Sequence, residues 1–205
     1  MKIDQNGLLI DEHVRHDPSP DRGGGIVPQY VVIHYTASGT QAGSDAWLTK
    51  RDEHYLSAHL TIGRDGAISQ LVPFNTMAYH AGKSAWAGLQ WMNKHSVGLE
   101  LINWGKLSLR QSGAVPEYVS WSGKVVDPIE VEKAVHKNEA EPAYWQKFTL
   151  PQYDAAARVC ALLYATYDIK NVIGHDDISP GRKVDPGPLF DWELFRTLIM
   201  TYRTA

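Results

Sequence analysis

The hexapeptide YVVIHY, residues Tyr30 to Tyr35, is β-branched and continuously apolar up to its histidine. Such a run reads as a strand buried on both faces, and a strand of that kind belongs to the interior of a sheet covered by helices. His34 stands at its end. A histidine there is either a core residue bonded to backbone, or a ligand presented over the sheet by a rigid scaffold.

The same pattern recurs along the chain. His95 to Asn103 (HSVGLELIN) is a second apolar strand, and Asn171 to Gly174 is a short one that delivers His175. Ala58 to Ile62 and Ala67 to Val72 flank GRDG, which reads as a hairpin turn. Ala46 to Tyr55 is expected to be helical. Thr149 to Gln152 has the form of a capping box with proline in the first turn. After it, Ala155, Ala156, Val159, Leu162, Leu163 and Thr166 recur at helical spacing, and Asp191 to Tyr202 reads as a closing helix with Trp192, Phe195, Leu198 and Ile199 inward. Strands mixed with helices predict an α/β single domain with a central mixed β-sheet flanked by helices. Residues 1–25 are polar and rich in Pro, Gly and Asp, and are expected to form an N-terminal arm ahead of the main unit over residues 26–205. Residues 104–148 are less regular and are expected to be an insertion with a short hairpin around Ser120 to Val126. Its aromatics either line a groove or pack the insertion onto the core.

With 205 residues, 43% hydrophobic and 21% charged, the chain can bury one sizeable core. A net charge of −3 gives no reason to expect nucleic-acid binding. No apolar run approaches membrane-spanning length, and the N-terminal residues lack the apolar core of a secretion signal. The expectation is a soluble protein, cytoplasmic as synthesised, that would leave the cell only on lysis or by a non-Sec route. The single cysteine, Cys160, falls on the apolar face of a helix and reads as an inert buried thiol. Of nine histidines, His13, His16 and His136 are expected on the solvated surface, and His54 and His95 on the surface or in local hydrogen bonds.

The stretch GHDDISPGRKVDPGP, Gly174 to Pro188, adds chemistry to this scaffold. His175, Asp185 and His34 are zinc-ligand types, and three such ligands leave a fourth position open for water, as catalytic zinc sites do. Lys183, two residues before Asp185, could stabilise an oxyanion. Glu100 lies inside an apolar strand, where a charge is costly unless paired or used. Alternation either turns it to solvent or places it as a general base for water.

These blocks, taken in order as VVIHYTAS, SAHLTIGRDGAISQLVP, AYHAGKSAW, NKHSVGLELIN and GHDDISPGRKVDPGP, resemble the type 2 N-acetylmuramoyl-L-alanine amidases over roughly residues 26–197. The resemblance implies one Zn2+ ion held by His34, His175 and Asp185. It implies hydrolysis of the amide between N-acetylmuramic acid, or its anhydro form, and L-alanine in peptidoglycan or muropeptides. Glu100 matches the water-activating acid and Lys183 the lysine that assists at the tetrahedral intermediate. His80 matches a groove histidine facing substrate, and His59 a supporting residue. Some relatives carry a tyrosine where this chain has Ala58, which shifts weight onto Glu100, and some use a cysteine at Asp185. The alternative is a non-catalytic peptidoglycan-binding module, against which the intact ligand trio argues. The expected partner is the peptidoglycan or muropeptide substrate, and the sequence does not identify an immunity or inhibitor protein.

Overall fold

A computed structural model of the chain describes residues 1–204 except 52–54 and 113–114. Its centre is a six-stranded mixed sheet in the order Asn171–Gly174, Tyr30–Tyr35, Ser96–Leu101, Leu60–Ile62, Ile68–Gln70, Val14–His16. Tyr30–Tyr35 runs parallel to both of its neighbours, and Leu60–Ile62 turns back antiparallel onto Ile68–Gln70. The turn between those two is the expected hairpin. Gly63 N–H donates to the Ala67 carbonyl at 2.8 Å, and Gly66 supplies the positive φ of 85° that the turn requires.

Alternation divides each inner strand between two faces. Val31, Ile33, Val97, Leu99, Leu101, Leu60 and Ile62 share one face and are buried in one apolar cluster with α2 (Leu150–Thr166) and α4 (Trp192–Thr204). The Thr149–Gln152 capping box opens α2 as expected, and Cys160 is buried in the cluster, where loss of solvation pushes its thiol pKa up. The opposite face carries Tyr30 and Val32 with Met92, Ile173 and Ile178. His34 belongs to that second face by alternation with Tyr30 and Val32, and Glu100 shares it because the two pair in register across the strands.

Two expectations are corrected. Helix α1 runs Gln41–Leu48 rather than Ala46 to Tyr55. The Thr40 side chain caps its start by accepting from Gly43 N–H. The Thr49 hydroxyl returns to the Asp45 carbonyl at 2.8 Å at its end. Tyr55 beyond it has a φ of 46°, outside a right-handed helix. The N-terminal residues, expected to form an arm, contribute to the domain itself, since Val14–His16 forms an edge strand of the central sheet. Arg22–Gly25 pairs with Thr76–Ala78.

The insertion is more ordered than its sequence indicates. It holds a five-stranded antiparallel sheet in the order Val125–Val126, Val115–Val119, Lys106–Ser112, Pro142–Gln146, Val131–Val135. The expected hairpin is present at its edge, closed by Ser120 N–H on the Lys124 carbonyl at 2.8 Å. The sheet is fastened to the domain where Asn103 donates to the Gln146 and Lys147 carbonyls and where Trp145 is buried against Gly187. Gly105 has a φ of 69° and lies flat against the Tyr35 ring, so a side chain there would clash with it.

Candidate metal centre

Three elements meet at one point. Tyr30–Tyr35 ends in His34, α3 (His175–Ile178) begins with His175 directly after the neighbouring strand, and the loop after α3 brings Asp185 back. The Asp185 carbonyl accepts Asp176 N–H at 2.8 Å, which ties the loop to the first turn of α3. His34 Nδ1, His175 Nδ1 and Asp185 Oδ2 are mutually 2.9 Å apart, and all three residues are buried.

The hydrogen bonds behind the rings fix their tautomers. His175 Nε2 faces the Ala81 carbonyl at 3.1 Å, and a carbonyl only accepts, so that nitrogen carries the proton. His80 Nε2 faces the Ser96 carbonyl at 3.4 Å, which leaves His80 Nδ1 as an acceptor. His34 Nε2, 3.0 Å from His80 Nδ1, is then the donor. Burial, with His175 nearby, holds the His34 pKa down to about 4, so the ring is neutral. Two bare nitrogen lone pairs and a carboxylate oxygen therefore converge with no hydrogen among them. That arrangement is repulsive unless a cation occupies the centre. The donor set and spacing fit zinc, because one point lies within a zinc–ligand bond of about 2.0–2.2 Å from all three atoms.

The supporting layer is specific. Gly98 N–H donates to His59 Nδ1 at 2.9 Å, so His59 in turn donates from Nε2 to the Thr76 carbonyl at 2.9 Å. His59 is thus a fully hydrogen-bonded support beneath the sheet. His80, expected to face a groove, is buried instead. It packs on Gly98, where any side chain would collide with its ring, and it orients His34 from behind.

Glu100 points to the site face and not to bulk solvent. Its Oε2 is buried without a hydrogen-bond partner. Burial, reinforced by Asp185, raises its pKa to about 8, while Lys183 opposes the rise. A half-buried Lys183 thus lies close enough for its charge to favour the Glu100 carboxylate.

Other contributors escaped the sequence reading. Arg182 donates to the Ala81 carbonyl at 2.8 Å and to Ser179 Oγ at 2.6 Å, which holds the carbonyl that orients His175. His136, expected on the solvated surface, is 1% exposed, with Nε2 2.9 Å from Asp176 Oδ2. The insertion sheet folds back over α3, stacks His136 on Trp145, and aims it at the residue next to His175. Lys137 adds a second contact to Asp176 at 2.9 Å. His13 and His16 are exposed and His95 is half-buried, as expected, and His54 lies outside the described residues.

Comparison with known proteins agrees with this geometry. The sequence model of the family described as N-acetylmuramoyl-L-alanine amidase matches residues 24–188. The 1,6-anhydro-N-acetylmuramyl-L-alanine amidase AmpD of Escherichia coli K12 is 36% identical over 146 residues, covering 70% of this chain and 58% of that protein. The AmpD of Enterobacter cloacae is 29% identical over 218 residues, covering 96% of this chain and 95% of that one. A crystal structure of a selenomethionine AmpD derivative superimposes with a TM-score of 0.69 at 29% identity, covering 97% and 99% of the two chains. The fold, the ordered motifs and the family match together place this chain in the N-acetylmuramoyl-L-alanine amidase family.

Proposed function

We propose that this chain is a zinc-dependent amidase. It hydrolyses the amide between N-acetylmuramic acid, or anhydro-N-acetylmuramic acid, and L-alanine in peptidoglycan or muropeptides. The observation that carries the proposal is the triangle of three unprotonated donors, His34 Nδ1, His175 Nδ1 and Asp185 Oδ2, 2.9 Å apart. The names of the AmpD relatives support the anhydro form as the first substrate to test.

A zinc ion held by these residues would polarise the lactyl carbonyl and acidify a water beside it. Glu100 takes the proton as the water oxygen bonds to the carbonyl carbon. A raised pKa suits it to return that proton to the alanine nitrogen as the carbon–nitrogen bond breaks. Lys183 places positive charge where the carbonyl oxygen becomes anionic. His80, His59 and Arg182 hold the ligands in position. We take residues 26–205 as the catalytic unit with 104–148 as its insertion, and the cytoplasm as the compartment. Among the described residues no helix is long and apolar enough to cross a membrane.

The test is product analysis. Protein reconstituted with one equivalent of zinc is incubated with soluble 1,6-anhydromuropeptides and, separately, with intact sacculi. Mass spectrometry should show free stem peptide with an L-alanine N-terminus. Absence of that product from both substrates at full zinc occupancy would overturn the proposal.

A further inference from the structure

Three exposed large apolar side chains lie beside Glu100. Trp121 is 77% exposed, Trp47 56% and Leu56 39%, and all three line one cavity of about 380 Å³ with Glu100 among its walls. Thr36, Ser38 and Ser44 supply hydroxyls to the same cavity. Trp121 comes from the hairpin tip of the insertion, yet its indole N–H donates to the Ala37 carbonyl at 2.7 Å, 84 residues away in sequence. That bond fixes the ring over the cavity while leaving most of its surface in water. An aromatic side chain held rigid and left exposed beside a reacting carboxylate is arranged to receive a ligand, because little entropy remains to be lost on binding.

Charge decides which half of the substrate it receives. Among the described residues no cationic side chain lines this cavity, and Lys50 lies at its margin with Nζ 5.6 Å from the Trp47 ring centroid. The cavity on the His175 side differs, since Lys83 and Arg182 line it beside Trp91. In the central sheet, the strand bearing Glu100 and the strand leading to His175 lie on opposite sides of the strand bearing His34. A stem peptide carries carboxylates and suits the basic side. A muramyl ring is neutral there, has an apolar face of C–H bonds for stacking and carries hydroxyl and acetamido groups for Thr and Ser.

We infer that the Trp47–Trp121 cavity is the saccharide subsite, and that Trp121 brings the insertion into substrate selection. The inference rests on the amidase reading and adds a position for the sugar. It is tested with the zinc-loaded full chain on two substrates sharing one stem peptide, an N-acetylmuramoyl peptide and a D-lactoyl peptide that lacks the sugar. The ratio of their kcat/KM values measures what the sugar contributes. Trp121→Ala should lower that ratio about tenfold, and Trp121→Phe should restore most of it. An unchanged ratio in Trp121→Ala, or an equal loss on both substrates, would overturn the inference. A binding measurement separates it from the amidase reading. Addition of methyl N-acetylmuramide should shift the indole N–H resonance of Trp121, and no shift at saturating sugar would refute the subsite even where turnover is absent.

Discussion

Replacing Glu100 by glutamine should make the metal-free protein more stable at alkaline pH. The Glu100 carboxyl has its pKa raised from 4.5 to about 8, first by burial and then by Asp185. The native state therefore holds this proton more tightly than the unfolded chain does. Below pH 4.5 both states are protonated and the side chain imposes no electrostatic penalty. As pH rises through the window from 4.5 to about 8, the unfolded chain releases the proton first, so native stability falls across that window and levels off above it. A shift of this size corresponds to a few kcal/mol at about 1.4 kcal/mol per pH unit, and the partial exposure of the residue brings the expectation to on the order of 3 kcal/mol. Glutamine keeps the shape and removes the ionisation. Urea denaturation of wild type and Glu100→Gln, both in chelator, should give similar stabilities at pH 5 and a gap of that order in favour of the variant at pH 9. Zinc should narrow the gap, because a nearby cation favours the carboxylate. A stability difference that stays flat from pH 5 to pH 9 would refute the buried, unpaired carboxylate on which the base assignment rests.

Removal of the His80 ring by His80→Ala leaves the His34 Nε2 proton without its acceptor, and zinc affinity should weaken about 10–100-fold in a chelator competition. His136→Ala leaves Asp176 without its buried partner, and should destabilise the fold by about 2–4 kcal/mol in thermal or chemical denaturation, although His136 is remote from the metal ligands in sequence. Lys183→Met should keep zinc at full stoichiometry while kcat falls about 10²–10³-fold, because it removes positive charge needed only in the transition state. Metal analysis beside steady-state kinetics separates those two effects.

The parts of the site that sequence revealed are those borne by regular elements. His34 and Glu100 sit on strands whose apolar runs announce themselves, and the strand alternation that buries Val31 and Leu99 turns these two to the other face. Asp185 is legible because Pro and Gly bracket it in one short loop. The insertion was not legible, since strands such as Val131–Val135 (VEKAV) are largely solvent-facing and lack the apolar alternation that marks a half-buried strand. His136 looked solvated among charges because its partner, Asp176, is 40 residues away, and only tertiary packing brings them together. His80 matches a family motif, but its burial behind His34 is not legible in the sequence. The hydrogen-bond chain from His34 through His80 to Ser96 spans three separate segments and leaves no local spacing to read.

The most direct test of the account is one comparison between wild type and Glu100→Gln, both carrying one zinc per chain, on a soluble 1,6-anhydromuropeptide. Zinc content is measured by elemental analysis and product by mass spectrometry. The account predicts release of the L-alanyl stem peptide by wild type. It predicts a loss of at least a thousandfold in rate for the variant at unchanged zinc content, on the order of what removing an activated general base costs. Equal rates in the two proteins, or no zinc retained by wild type, would contradict it.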